Sequence, residues 1–105
     1  MKSMHRYDED ATEVTVAVGD SFVLELRALA TAGFTWSIAT MPDLLVLRDE
    51  RIGPTRSALG APSVQEFEFR ATRPGSGTLA MQLARHWEST PAEIRELTVV
   101  VTGVS

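Results

Sequence analysis

Apolar and polar residues alternate along most of the chain, and this period of two predicts β-strands rather than helices. The clearest case is residues 64–71, where Phe67, Phe69 and Ala71 share one face and charged side chains occupy the other. No segment keeps a helical period over three turns. Strands are predicted in seven segments, namely residues 12–18, 21–29, 34–40, 44–52, 64–71, 78–84 and 93–104.

Seven short strands separated by turn residues, in a chain of 105 residues, are typical of an all-β fold. We therefore predict an immunoglobulin-like antiparallel β-sandwich of about seven strands. Trp36, in the third predicted strand, suits the buried core tryptophan of that architecture. Because this length allows one hydrophobic core, a flexible N-terminal tail is predicted for residues 1–11 and a single domain for residues 12–105.

The composition narrows the range of partners. Hydrophobic residues make up 44% of the chain and charged residues 23%, as in soluble globular domains. The net charge of −4 argues against binding to nucleic acid or to an anionic membrane, since both need clustered Lys and Arg. No apolar run approaches the roughly 20 residues of a membrane-spanning helix. Residues 1–13 show no signal-peptide pattern, so a cytoplasmic location is the default expectation, or a periplasmic or secreted one if a leader was removed.

The residue types that usually carry chemistry are absent or badly spaced. Cysteine is missing, which excludes disulfides, thiolate metal sites and a cysteine nucleophile. His5 and His86 lie far apart and show no metal-ligand spacing. The run at residues 8–10, Asp-Glu-Asp, fits either a weak cation site or, as is usual for such runs, a hydrated surface. We therefore predict no metal, no cofactor and no enzymatic activity.

Three connections between the predicted strands hold the remaining unusual residues. In an immunoglobulin-like sandwich the connections after the second, fourth and sixth strands cluster at one end, and here they are residues 28–33, 53–63 and 85–92. The first consists of small residues and is followed by Phe34, the second is rich in Gly and Pro, and the third contains Trp87. Since Trp and Arg are enriched at binding hot spots, these connections predict a binding surface. The alternative for Trp87 is a ring folded back to cap the end of the sandwich.

In order and spacing, the three connections resemble the motifs of the chagasin-like family of cysteine peptidase inhibitors. The family's Asn-Pro-Thr-Thr-Gly-Tyr/Phe-x-Trp stretch is matched by residues 29–36, Leu-Ala-Thr-Ala-Gly-Phe-Thr-Trp. Its Gly-x-Gly-Gly-like loop is matched by residues 60–63, Gly-Ala-Pro-Ser, and its Arg-Pro-Trp by residues 85–87, Arg-His-Trp. Leu29 and Ala30 replace the stiffening Asn-Pro, so we expect a higher ordering cost on binding.

The resemblance implies a reversible protein inhibitor of papain-like cysteine peptidases that acts as a monomer. It would insert the three connections into the active-site cleft without a covalent step, the first near the catalytic residues, the second on the non-primed side and the third on the primed side. The alternative is a non-inhibitory immunoglobulin-like recognition or adhesion module, which the departures in the first motif favour. The implied peptidase-binding residues are Thr31, Ala32, Gly33, Phe34, Gly60, Ala61, Pro62, Ser63, Arg85, His86 and Trp87.

Overall fold

Eight strands account for most of the computed structural model, which describes residues 4–28, 33–53 and 63–103. Seven of them coincide with the predicted segments to within a few residues, and the additional one precedes them. Within the described ranges there is no helix, and hence none that could cross a membrane. The strands are β1 (Met4–Tyr7), β2 (Glu13–Ala17), β3 (Ser21–Ala28), β4 (Phe34–Thr40), β5 (Leu45–Gly53), β6 (Ser63–Ala71), β7 (Gly75–Arg85) and β8 (Glu93–Thr102).

The strands form two four-stranded sheets, one in the order β1-β3-β6-β5 and the other in the order β2-β8-β7-β4. Four of the strand pairs are antiparallel, but β1 pairs with β3 and β2 pairs with β8 in parallel. The predicted sandwich is therefore confirmed, whereas its sheets are mixed rather than purely antiparallel. Both parallel pairs involve an edge strand, since β1 lies at the edge of one sheet and β2 at the edge of the other.

The core lies between the two sheets and is formed by the faces that the alternation predicted. The rings of Phe22 and Phe69 stack there with their centroids 5.3 Å apart, and Trp36 is also buried. Because each apolar side chain that leaves water favours the folded state, this continuous layer fixes which face of every strand points inward. Buried core positions that the alternation placed inward are Val14, Val16, Phe22, Leu24, Leu26, Phe67, Phe69, Ala71, Leu79, Met81, Leu97, Val99 and Val101.

The N-terminal segment departs from the prediction. Met4–Tyr7 forms β1, with Met4 opposite Ser21 in the register of β3, instead of a solvated tail. Tyr7 packs against the core, and its ring meets Phe22 edge-on at 5.9 Å between centroids. Polar side chains on an edge strand can remain in water while the backbone completes its hydrogen bonds. A polar composition therefore did not exclude a strand in these residues.

Charged side chains cross the outer face of the first sheet. A guanidinium nitrogen of Arg6 lies 3.0 Å from Glu66 and also pairs with Glu25, while Arg51 lies 3.1 Å from Glu66 on its other side. The hydrogen bond from Arg6 is the main reason why the pKa of Glu66 is lowered, and the hydrogen bond to Glu66 is the main reason why the pKa of each arginine is raised. The arginines are exposed and the glutamates are only half-buried, so water screens the pairs and they contribute little to stability.

Candidate functional site

Five strand ends that border the three predicted connections lie at one end of the sandwich. In the first sheet, Ala28 at the end of β3 lies opposite Ser63 at the start of β6, and Gly53 at the end of β5 lies opposite Val64. In the second sheet, the first residue of β4 pairs with the last residue of β7. The chain therefore enters or leaves all three connections at neighbouring points, as the sequence predicted.

The structure describes some of the predicted peptidase-binding residues and not others. Gly33, Phe34, Arg85, His86 and Trp87 lie within the described ranges, and Ser63 is placed by its backbone at the start of β6. Those that lie outside the described residues are Thr31, Ala32, Gly60, Ala61 and Pro62.

Gly33 and Trp87 bring the first and third connections into contact. Gly33 has a φ of +86°, in the left-handed region that favours glycine. A Cβ atom at this position would lie 2.6 Å from Cη2 and 3.1 Å from Cζ3 of the Trp87 indole. The missing side chain therefore serves two purposes, since it permits the backbone conformation and leaves the space that the ring occupies.

Arg85 lies against two aromatic residues at this end, Phe34 at the start of β4 and Trp87 in the third connection. Its guanidinium carbon is 4.2 Å from the centroid of the Phe34 ring and 5.7 Å from that of Trp87, distances at which a cation is attracted to an aromatic face. A guanidinium nitrogen of Arg85 also lies 3.7 Å from a carboxylate oxygen of Glu88. Next to it, the Glu88 backbone N–H donates to the Arg85 carbonyl at 3.0 Å and closes the turn after β7.

Trp87 is exposed although its ring is held in place. Its relative accessible surface is 61%. The ring folds back over Gly33 at the end of the sandwich, as in the alternative interpretation, but most of its surface remains open to solvent. The exposed His86 ring meets the indole edge-on with 4.8 Å between centroids. A large aromatic ring that is fixed by its neighbours and open to solvent can bury much area on binding at a low cost in side-chain entropy.

A buried glutamine joins the two sheets close to this end. Gln65, in β6, is 2% exposed and bonds to both backbone groups of Trp36 in β4. The Trp36 N–H donates to Oε1 of Gln65 at 2.7 Å, and Nε2 of Gln65 donates to the Trp36 carbonyl at 3.2 Å. The Trp36 indole N–H donates to the Arg27 carbonyl at 2.7 Å. These bonds tie β4 to the opposite sheet two residues after Phe34, at the base of the candidate site.

Sequence reasoning missed Gln65, although its position carried a signal. It has the same parity as Phe67, Phe69 and Ala71, so the alternation already placed it on the buried face. A polar residue at such a position must find hydrogen-bond partners inside the protein. The identity of those partners follows only from the packing of β4 over β6.

Acidic and histidine side chains in the described part of the chain do not form a metal-ligand cluster. Among residues 4–28, 33–53 and 63–103, no group of three or more His, Asp or Glu side chains is placed to hold a metal ion. In the run at residues 8–10, the Asp10 N–H donates to the Asp8 carboxylate at 3.0 Å, while Glu9 lies 3.4 Å from Arg27. The chemistry that the described part of the site offers is therefore contact area, a cation and backbone groups.

Similarity to known proteins identifies the family of this chain. The chain matches the family described as Chagasin family peptidase inhibitor I42 over residues 15–101. It is similar to Amoebiasin-2 of Entamoeba histolytica, with 27% identity over 96 residues that cover 89% of this chain and 78% of the relative.

Solved structures show the same fold. The crystal structure of EhICP2, a cysteine protease inhibitor from Entamoeba histolytica, superposes with a TM-score of 0.79 at 25% identity and covers 93% of this chain and 95% of that one. PbICP-C, solved in complex with falcipain-2, shares the fold with a TM-score of 0.56 at 13% identity, covering 99% and 92% of the two chains. Since the family match spans most of the sequence, the chain belongs to the chagasin family of peptidase inhibitors, a family of inhibitors and not of enzymes.

Proposed function

We propose that this chain is a reversible inhibitor of papain-like cysteine peptidases and that the end of the sandwich carrying the three connections blocks the active-site cleft. Membership of the chagasin family supports the activity, as does the likeness to EhICP2, which is itself described as a cysteine protease inhibitor. The observation that carries the proposed site is the exposed Trp87 ring held against Gly33 at this end.

The block requires no reaction. In this proposal Gly33 lies near the catalytic residues of the peptidase, and it presents its backbone together with the Trp87 ring that fills the space of its missing side chain. Phe34, Arg85 and Trp87 add a cation and two aromatic rings, and Trp and Arg are among the residue types most enriched at interface hot spots. In this proposal Thr31 and Ala32 accompany Gly33, and residues 60–63 line the other side of the cleft.

Strand ends hold the described part of the site before any peptidase arrives. Phe34 and Arg85 face each other as the last pair of the β4–β7 ladder, so their backbones are fixed by the sheet. Binding then loses less free energy to ordering than it would with free loops. The comparisons favour inhibition over the recognition module, because the family that the chain matches is one of peptidase inhibitors.

The direct test is a titration of papain followed by hydrolysis of a fluorogenic peptide. We expect reversible, active-site-directed inhibition at submicromolar concentration, with the inhibitor recovered uncut. If neither papain nor a cathepsin-L-like enzyme is inhibited at tens of micromolar, the proposed function is wrong and the recognition module becomes the better hypothesis.

Replacing Trp87 by alanine tests the site. Because the ring is 61% exposed in the free protein, its loss is expected to leave the thermal midpoint nearly unchanged. Inhibition should weaken by about 2 kcal/mol, or roughly 30-fold in the inhibition constant. Both quantities are measured on the same preparation, by papain titration and by thermal unfolding.

Val46→Ala is the control, since Val46 is also an exposed apolar residue, at 41%. It pairs with Arg70, which itself pairs with Ser21, so it lies at the other end of the sandwich. Inhibition by this variant should match the wild type. A large fall in the midpoint of Trp87→Ala with unchanged inhibition would show that Trp87 is structural.

A further inference from the structure

Phe34 begins β4 and Trp87 lies in the third connection, and the Arg85 side chain lies against both of their rings. The guanidinium carbon is 4.2 Å from the Phe34 centroid and 5.7 Å from the Trp87 centroid. The backbone explains only part of this arrangement. Phe34 faces Arg85 across the β4–β7 ladder, but Trp87 comes after the last residue of β7 and is outside the ladder.

We propose that Arg85 is a positioning residue, which holds the Phe34 and Trp87 rings as one preassembled unit in the free protein. The expected effect of this positioning role on inhibition rests on the proposed function, but the assembly of the two rings is a property of the free chain. In this arrangement Arg85 acts on the peptidase through the two rings. The Phe34 and Trp87 rings then bind as one body rather than as two separate side chains.

The geometry around Arg85 suits this role. A guanidinium group is planar and stacks on aromatic faces, which the compact ammonium group of lysine does less well. The Arg85 side chain is only 36% exposed, and its pairing with Glu88 at 3.7 Å helps to set its direction. Gly33 also contributes to the unit, because its missing Cβ leaves room for the Trp87 ring.

Preassembly should appear as coupling between Arg85 and Phe34. An interface residue that acts alone loses its contribution independently of its neighbours, whereas residues in contact show non-additive effects. The test measures inhibition of papain by wild type, Arg85→Gln, Phe34→Leu and the double variant. We expect Arg85→Gln to weaken inhibition about 10-fold in the wild-type background and less than about 2-fold in the Phe34→Leu background.

Two further variants separate stacking from charge. Arg85→Lys keeps the charge but not the planar group. On a logarithmic scale, we expect it to weaken inhibition by more than half as much as Arg85→Gln does. Arg48→Gln, on β5, removes one positive charge outside the three connections and should inhibit like the wild type. Arg85→Lys also decides the matter if Arg85→Gln fails to fold.

A spectroscopic measurement on the free protein removes the dependence on a peptidase. The chain has two tryptophans, so incorporation of 5-fluorotryptophan gives two fluorine resonances, and Trp87→Phe assigns them. We expect Arg85→Gln, Arg85→Lys and Phe34→Leu each to shift the Trp87 resonance and to leave that of buried Trp36 in place. A fold-wide disturbance would move both.

The outcomes separate the two proposals. A shifted Trp87 resonance with non-additive inhibition supports the positioning role. Multiplying effects on inhibition with an unchanged Trp87 resonance would overturn it and make Arg85 a direct contact of the peptidase. If the wild type does not inhibit, the proposed function fails, and the Trp87 resonance alone then decides whether Arg85 assembles the two rings.

Discussion

Replacing Gly33 by glutamate is expected to abolish inhibition of papain while the sandwich stays folded. Any side chain at this position meets the Trp87 ring, because the new Cβ would lie 2.6 Å from Cη2 of the indole. The ring must therefore move from the place it holds beside Arg85. The added carboxylate would also enter the contact surface, so we expect inhibition to fall at least about 1,000-fold, or about 4 kcal/mol.

Gly19 provides the matched control for this change. It has a φ of +93°, close to the +86° of Gly33, but a Cβ there would meet nothing within 4 Å. Gly19 lies in the turn before β3, at the end of the sandwich opposite the three connections. Its N–H donates to the Ala71 carbonyl at 2.9 Å. Both glutamate variants should lose a similar free energy of unfolding, about 1–2 kcal/mol, from the left-handed backbone.

Only the Gly33 variant should lose inhibition. The papain titration gives the inhibition constants, and urea unfolding gives the stabilities of the two variants. Full activity in Gly33→Glu would remove the proposed site, since no inhibitor could retain its contacts with a displaced Trp87 and a charge in the contact surface. Equal loss of inhibition in both variants would indicate a general effect on the fold.

Gln65→Leu is expected to have the largest effect on stability. The leucine fits the buried position by size, but it leaves the N–H and the carbonyl of Trp36 without their partner. Each buried polar group without a hydrogen bond costs about 1–3 kcal/mol. We therefore expect the free energy of unfolding, measured in urea, to fall by about 2–4 kcal/mol, a large share of the roughly 5–15 kcal/mol of an ordinary domain.

Gln82→Leu makes the same chemical change on the outer side of the second sheet. Gln82 bonds only weakly to Ser37, with 3.4 Å between Nε2 and Oγ at an exposed site. Its replacement should change stability by less than about 0.5 kcal/mol, as is usual for surface positions. If the two variants unfolded at the same urea concentration, the bonds between Gln65 and Trp36 would not be what ties β4 to β6.

Much of the fold could be predicted because a strand in a two-layer sandwich alternates apolar residues that face the core with polar residues that face water. The third predicted strand matches Phe34–Thr40 as observed, and Trp36 is buried as expected. The strand at Met4–Tyr7 was missed, since an edge strand can gain backbone hydrogen bonds without showing an apolar face. An apolar composition indicates which residues are buried, and three of the four residues of β1 are exposed.

The sequence by itself determined the all-β class, the inward faces and the three connections, with Gly33 and Phe34 at the end of the first and Trp87 in the third. The tertiary structure alone decided that Arg85 lies between the Phe34 and Trp87 rings and that Gln65 reaches Trp36. The reason is physical. Alternation along one strand records which side faces water, whereas contacts between residues some 30 to 50 positions apart depend on the register of β4 with β7 and on how one sheet packs over the other.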